Sequence, residues 1–254
     1  MLLETALMHG TTSASPLATS GGLGSSGYTH LLAETMRGAI ADRARLAGDP
    51  SFASDVDVNY ARALEPAQLA ARKARIDANK TSNAPDFQTR EQGTSHLVVV
   101  DKEGNVVSLT TTVNAAFGSG LVVRGAGLVL NDELDDFSSA DDVRGFGVIG
   151  LGPNRPQPRA RPVSSMTPTI ITDAQGPILA TGGSGGPRIA TGVTQAVLAR
   201  LMFGVDPMAA VSMPRFHVGT APGIFLEREI PDDVRKGLEA RGERHIVQSG
   251  ESLS

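Results

Sequence analysis

The sequence contains no cysteine and no tryptophan, and it has only two tyrosines among its 254 residues. Without cysteine there is no disulfide scaffold, no thiol nucleophile and no zinc or iron–sulfur site built on thiolates. The five histidines are scattered, so no metal site is expected. Because aromatic side chains are scarce, stacking platforms for bases or sugars are also not expected.

Positive charge is in short supply. Lys and Arg number 23 against 27 Asp and Glu, which gives a net charge of -4 and disfavours a nucleic-acid partner. No apolar run approaches the roughly 18 to 20 residues of a membrane helix, so no membrane segment is expected. Residues 1–27 lack the basic and apolar regions of a signal peptide, so they do not indicate the cellular compartment of the protein.

The spacing of apolar residues predicts the secondary structure. Residues 11–27 are mostly Ser, Thr, Gly and Ala and predict a loop or a ragged end. The β-branched runs 95–101 and 106–113 flank a turn and predict a hairpin. Residues 138–162 carry four prolines near their end and predict a long surface loop. Other predictions are helices at 29–46, 65–76, 187–203, 207–211 and 231–241, a second hairpin at 169–172 and 178–181, and strands at 128–130, 224–226 and 245–247.

The junction Gly93-Thr94 lies where a loop gives way to the first strand. If the chain were cut after Gly93, the hydroxyl of Thr94 would be a nucleophile with its own α-amine as the base. Strand alternation places Thr110, Thr112 and Asn114 on one face, and the hairpin register brings Thr112 towards Thr94. A plain start of a strand and a solvated polar face are the alternatives.

An acidic run, residues 131–136, follows the strand at 128–130. Glu133 and Asp136 either belong to a solvated loop or capture a substrate ammonium group, and the pattern is not that of a calcium loop. Ser164-Ser165 is another polar pair, placed just before an apolar strand.

A glycine turn, residues 182–186, precedes a predicted helix. The N–H groups at such an end can hold a developing oxyanion, although a plain tight turn is equally compatible. The turn also matches G-x-S-x-G around Ser184, the pattern of a nucleophile elbow, with Asp233 and His245 following in the order that a serine hydrolase needs. The alternating β and α units of such a hydrolase are absent before Ser184.

In this order, the motifs resemble those of γ-glutamyltranspeptidases over about residues 28–254. The matching segments are Thr94 to Asp101, Gly104-Asn105, Thr112 to Asn114, Phe117 to Gly120, Asn131 to Phe137, Arg161 to Thr169 and Gly185-Gly186. The resemblance implies an N-terminal-nucleophile hydrolase of the α+β class, with a four-layer αββα sandwich that is incomplete in this chain. It also implies a precursor that cleaves itself between Gly93 and Thr94. Residues 1–93 would be the end of the large subunit and 94–254 the small-subunit catalytic region, together forming one domain.

The same resemblance implies a role for each candidate residue. Thr94 would attack the γ-carbonyl of glutathione or another γ-glutamyl compound and carry the γ-glutamyl ester, and Thr112 would orient it. Water, an amino acid or a peptide would then accept the group. Further implied roles are oxyanion donors for Gly185 and Gly186, ammonium binding for Asn114, Glu133 and Asp136, and α-carboxylate binding for Ser164 and Ser165.

The resemblance implies no metal or organic cofactor, two associated fragments of one precursor, and a periplasmic or secreted location. The chain departs from the family pattern in three ways: the upstream Arg that pairs with the substrate α-carboxylate has no counterpart, Gly183-Ser184 replaces Ser-Pro, and Phe146 replaces a Tyr in the cover loop. Three alternatives stay open. They are a related acylase acting on a cephalosporin or polyglutamate amide, a serine hydrolase using Ser184, and an inactive fragment.

Overall fold

The computed structural model describes residues 1–52, 60–82, 94–138, 153–218 and 223–247. Gly93, Phe146 and much of the predicted proline-rich loop lie outside the described residues. Within them, the chain mixes helices with short strands, as the α+β prediction requires. No described helix combines the length and the apolar character needed to cross a bilayer.

The described elements follow the predicted order closely. The helices are α1 (Leu2–His9), α2 (Ser26–Leu46), α3 (Pro66–Lys73), α4 (Arg188–Phe203), α5 (Pro207–Ser212) and α6 (Asp232–Glu239). The strands are β1 (Thr94–Val100), β2 (Val106–Thr112), β3 (Val122–Val123), β4 (Leu128–Val129), β5 (Thr169–Asp173), β6 (Gly176–Thr181), β7 (Phe216–Val218), β8 (Gly223–Leu226) and β9 (Arg244–Val247).

Strands pair mainly with their neighbours in sequence. The strands form three antiparallel pairs, β1-β2, β3-β4 and β5-β6, and a separate three-stranded sheet of order β7-β8-β9 in which β9 runs parallel to β8. The β5-β6 hairpin packs against β2, since the hydroxyl of Ser108 donates to the carbonyl of Thr181 at 3.1 Å. The glycine turn that follows Thr181 is thereby held close to the first hairpin.

The main core lies between α2, α4, α6 and the β7-β8-β9 sheet. Its fully buried members include Leu32 and Met36 of α2, Leu198 of α4 and Ile224 of β8. A smaller apolar cluster joins Ile189, Val193 and Val197 of α4 to the inner face of the β5-β6 hairpin. Helix α4 therefore connects the large core to the hairpin that carries the glycine turn.

The loop predicted at 11–27 is confirmed for residues 11–25, but its packing was not predicted. These residues form hydrogen-bonded turns, and Leu17 is fully buried in the main core. The hydroxyl of Ser25 accepts the N–H of Tyr28 and caps α2, which begins at Ser26. Because this segment contains few apolar residues, its composition did not indicate that Leu17 is buried.

Helix α1 and strand β7, like the two-residue strand β3, were not predicted. Glu4 interrupts the apolar run of α1, but its carboxylate is fully buried and accepts hydrogen bonds from Tyr60 and from Arg72, the latter at 2.7 Å. Strand β7 is only three residues long and has His217 at its centre. In both cases a titratable residue that reads as exposed is buried against a distant partner.

A buried ionic network links α2 to β9. His30, Glu34 and Arg37 lie on α2, whereas Glu243 immediately precedes β9, and all four are at most 6% exposed. The Arg37 guanidinium donates to Glu34 and to both oxygens of Glu243, at 3.0 and 2.6 Å in the second case. Burial opposes ionisation of Glu243, yet His30 and Arg37 lower its pKa to about 2. Hydrogen bonds to Glu243 and to the Asp77 carbonyl outweigh the effect of burial on His30 and raise its pKa.

Two other buried histidines make stability depend on pH. Burial lowers the pKa of His9 and of His217 from 6.5 to about 4, with Lys73 and Arg188 respectively adding to the effect. Between pH 6.5 and 4 the unfolded chain binds these protons and the folded chain does not, so stability is lost as the pH falls through that window. Urea midpoints measured from pH 7 to 4.5 are expected to fall less steeply in a His9→Gln/His217→Gln variant. Parallel curves for variant and wild type would show that the two side chains do not titrate in this way.

Candidate active site

The first hairpin sets the position of the predicted nucleophile. Asp101 closes its turn by accepting the N–H groups of Glu103 and Asn105, and Gly104 takes a φ of 85° that favours glycine. With the turn fixed, the strands pair without a bulge and Thr94 lies opposite Thr112. The predicted register is confirmed.

The hydroxyl groups of Thr94 and Thr112 are in contact. Thr94 Oγ1 donates a hydrogen bond to Thr112 Oγ1 at 3.1 Å, and Thr112 Oγ1 also accepts the N–H of Asn114 at 2.8 Å. Both threonine side chains are only half-buried. Thr94 Oγ1 therefore has a hydrogen-bond partner that orients it, and the side chain that carries it is partly exposed.

Asn114 does not continue the strand face on which alternation placed it. Strand β2 ends at Thr112, and Asn114 takes a left-handed φ of 70° that turns its buried side chain away from the strand. Its Nδ2 donates to the Asp132 carbonyl at 3.4 Å, and the N–H of Ala115 donates to the Asp132 carboxylate at 3.0 Å. The left-handed turn thus brings the end of β2 to the acidic run.

The acidic run forms a short 3-10 turn at Glu133–Asp136. Asp136 is buried, with 6% of its surface exposed. Among the described residues, Glu133 Oε1 has no hydrogen-bond partner although it is inaccessible to solvent. A buried carboxylate oxygen without a donor is costly, so this turn is suited to a cationic ligand group.

The predicted glycine turn connects β6 to α4. Gly185 and Gly186 have φ values of 112° and 60°, and their carbonyls accept the N–H groups that begin the helix. Within the described part of the chain, no acceptor is bonded to their own N–H groups. Free donors at a helix N-terminus are what an oxyanion needs.

His96 connects this turn to the first hairpin, a role that sequence reasoning missed. Its Nδ1 shares a hydrogen bond of 2.9 Å with Thr110 Oγ1, and its ring lies against Gly182, where a Cβ would come within 2.3 Å of the ring. Together with the glycine turn, the ring lines an open cavity of about 370 Å³. Thr181 contacts Ser108, which pairs with Val98, whereas Gly182 lies against His96, so the step from Thr181 to Gly182 is towards the Thr94 end of the hairpin.

Ser164 and Ser165 follow a segment that is held from both sides. The N–H of Val163 donates to Asn154 Oδ1 at 3.0 Å, and its carbonyl accepts Arg43 Nη2 at 3.1 Å. Ser164 Oγ itself accepts the N–H of Met166 at 3.1 Å. Asn154 is buried within what the sequence predicts to be surface loop, and no local sequence pattern indicates its partners.

Ser184 lines the same cavity as His96 and lies in a strand–turn–helix connection, as a nucleophile elbow would. Asp233, however, is exposed in the first turn of α6. The acid of a serine triad is buried and holds the histidine in one orientation. This exposure counts against the serine alternative.

One set of side chains has the composition of a metal site: His30, Glu34 and Glu243 offer ligand atoms within 4.8 Å of one another. The Arg37 guanidinium already donates to both carboxylates and supplies the opposing charge. A divalent cation would have to displace it, so this set is a structural ion network.

Known proteins resemble this chain in both sequence and fold. The sequence model described as gamma-glutamyltranspeptidase matches residues 6–254. The chain is 35% identical over 231 residues to the glutathione hydrolase proenzyme of Escherichia coli, covering 88% of the chain and 39% of that protein. For the glutathione hydrolase proenzyme of Pseudomonas aeruginosa the identity is 42% over 200 residues, covering 77% and 35%. The chain thus spans about two fifths of the length of these relatives.

The solved structures of similar fold include a gamma-glutamyltranspeptidase and a cephalosporin acylase. The T380A mutant of Helicobacter pylori gamma-glutamyltranspeptidase gives a TM-score of 0.57 at 36% identity, covering 60% of this chain and 84% of that chain. The cephalosporin acylase of Bacillus halodurans gives a TM-score of 0.78 over 98% of this chain and 42% of that chain. At 23% identity, this match shows a similar fold only.

Proposed function

Because the chain belongs to the γ-glutamyltranspeptidase family, we propose that it acts on γ-glutamyl amides through Thr94 as an N-terminal nucleophile. Its precursor would consume one water in breaking the Gly93–Thr94 bond, which leaves a carboxylate on Gly93 and a free amine on Thr94. Residues 1–93 and 94–254 would then be parts of a large and a small subunit within one domain. The helices and paired strands would contribute to a four-layer αββα sandwich.

The contact between Thr94 and Thr112 is the observation that carries this proposal. A threonine hydroxyl is a weak nucleophile unless a base takes its proton and its lone pair faces the substrate. The α-amine released at Thr94 would supply the base on the same residue. Thr112 would hold Oγ1 in a single orientation, which the 3.1 Å hydrogen bond favours.

The acidic turn and the serine pair would bind the amino-acid head group of the donor. Glu133, Asp136 and Asn114 would hold its α-ammonium, because a buried carboxylate oxygen without a donor fits a cation. Ser164 and Ser165 would hold its α-carboxylate. Two opposite charges recognised at two places would select a free glutamyl head group over other acyl groups.

The chemical step would proceed in two halves. Thr94 Oγ1 would bond to the γ-carbonyl carbon while its proton passes to the α-amine, and the N–H groups of Gly185 and Gly186 would stabilise the oxyanion. The C–N bond then breaks and the proton leaves with the amine. Glutathione would release cysteinylglycine in this way, and water or the amine of an acceptor would cleave the ester.

A related acylase is the second candidate, since a cephalosporin acylase shares the fold. A cephalosporin or polyglutamate amide would use the same nucleophile and oxyanion donors. The buried Asp136 and the solvent-inaccessible Oε1 of Glu133 favour a substrate with a free ammonium group.

Trapping the acyl ester tests the proposal and separates it from the serine alternative. The chain is incubated with a γ-glutamyl anilide, quenched in acid and mapped by mass spectrometry. We expect one glutamyl group on the peptide that begins at Thr94, because the ester oxygen would be its Oγ1. The α-anilide of glutamate is the matched control and is expected to leave no label. A label on the peptide that contains Ser184 would overturn the threonine mechanism.

A further inference from the structure

Asn154 lies between the two halves of the proposed head-group pocket. Its Nδ2 donates to the Asp136 carbonyl at 2.6 Å, and its Oδ1 accepts the N–H of Val163 at 3.0 Å. Its own carbonyl accepts the N–H of Ser138 at 2.9 Å. Asp136 belongs to the proposed ammonium site, and Val163 immediately precedes the proposed carboxylate site at Ser164.

Both polar atoms of the Asn154 side chain, Nδ2 and Oδ1, take part in these hydrogen bonds. Asn154 is 5% exposed, so its side chain does not exchange partners with solvent. Val163 is fixed further because Arg43 holds its carbonyl, and two residues earlier Arg161 is paired with Asp49 at 2.9 Å. Asn154 thus hydrogen-bonds to the backbone of both Asp136 and Val163.

The geometry points to Asn154 as a positioning residue that sets the spacing between the ammonium-binding and carboxylate-binding groups of the donor site. This inference rests on the proposed function, because it takes Asp136 and Ser164 as head-group ligands. The α-ammonium and α-carboxylate of a glutamyl group are joined to one carbon atom, so their partners must keep a narrow separation. One buried amide that bonds to both segments keeps it directly, without touching the substrate.

The test is the Asn154→Ala variant assayed with a γ-glutamyl anilide and a dipeptide acceptor. Losing one buried hydrogen-bond bridge is expected to raise the donor KM about tenfold or more. We expect kcat and the acceptor KM to stay within about twofold, because Thr94 bonds to Thr112 and not to this bridge, and the acceptor amine would attack the ester carbonyl rather than the head group. Asn79→Ala, at an exposed asparagine in a turn away from the proposed site, is the matched control and should change none of these three constants. A donor KM like that of wild type, or a fall in kcat as large as the rise in the donor KM, would overturn the inference.

Asn154→Asp separates the two bonds and covers the case in which the alanine variant does not fold. It keeps the size of the side chain and the acceptor for Val163, but presents an oxygen to the Asp136 carbonyl. Amide exchange at Val163 is expected to stay slow in this variant and to quicken in Asn154→Ala. The donor KM is expected to rise in both. Fast exchange at Val163 in the wild-type chain would contradict the bridge itself.

Failure of the proposed function is recognised separately, as a wild-type chain that turns over no γ-glutamyl amide. Titration with L-glutamate then decides the inference, since glutamate carries the same head group. Binding that weakens about tenfold in Asn154→Ala supports the positioning role. Equal binding by both proteins, or none by wild type, overturns it.

Discussion

The Thr94→Ala chain is expected to stay uncut and to lose turnover of γ-glutamyl amides by about 10⁴-fold or more. Alanine keeps the start of β1 but removes the oxygen that donates to Thr112. If the same atom attacks the Gly93 carbonyl before water completes the cleavage, and later carries the γ-glutamyl ester, both events should disappear together. Intact mass under denaturing conditions, together with the release of anilide, measures them side by side.

Thr111→Ala is the matched control for this substitution. Thr111 is the exposed neighbour of Thr112 on the opposite face of β2, so the same atoms are removed without touching the hydroxyl pair. It should be cut and active like wild type. Two fragments that meet at residues 93 and 94 in the Thr94→Ala protein would contradict the proposed nucleophile. Uncut chains in both proteins and in wild type would contradict self-cleavage of this chain.

The Glu243→Gln variant is expected to lose about 3–5 kcal/mol of unfolding free energy. The carboxylate is 4% exposed and accepts hydrogen bonds from Arg37 and His30. An amide cannot balance the guanidinium, which would stay buried with too little negative charge around it. Urea unfolding monitored by circular dichroism gives the change directly.

Glu229→Gln removes the same charge from an exposed position and serves as the control. It is expected to change the unfolding free energy by less than about 0.5 kcal/mol. The stabilising part that comes from ionised Glu243 is present above its ordinary pKa of 4.5 and is lost as the pH falls towards its folded value of about 2. Equal midpoints for the two variants would show that the network contributes nothing.

Local patterns were sufficient for much of the fold and for one contact of the site. The turn at Asp101–Asn105 fixes the register of a regular hairpin, so the approach of Thr112 to Thr94 could be deduced from strand alternation. The start of α4 after a glycine turn also follows from nearby residues. Each of these features depends on interactions within about twenty positions of sequence.

Features that depend on distant partners could not be predicted. Asn114 leaves the strand face because of a left-handed backbone angle, and Asn154 is buried by contacts on both sides of it. Glu243 is paired with Arg37, which lies 206 positions earlier. For such side chains the residue type permits either a solvated or a buried state, and only tertiary packing chooses between them.

The ionic network also determines how the two halves of a cut chain would relate to each other. Arg37 precedes the Gly93–Thr94 junction and Glu243 follows it, and both N–H and Oγ1 of Thr81 donate across the junction to the Arg241 carbonyl. The main core is shared in the same way between Leu32 and Ile224. Neither fragment would contain a complete hydrophobic core. Two cut molecules would therefore be unable to exchange fragments without unfolding. The pairing would be made once, while the precursor folds, and kept for the lifetime of the protein.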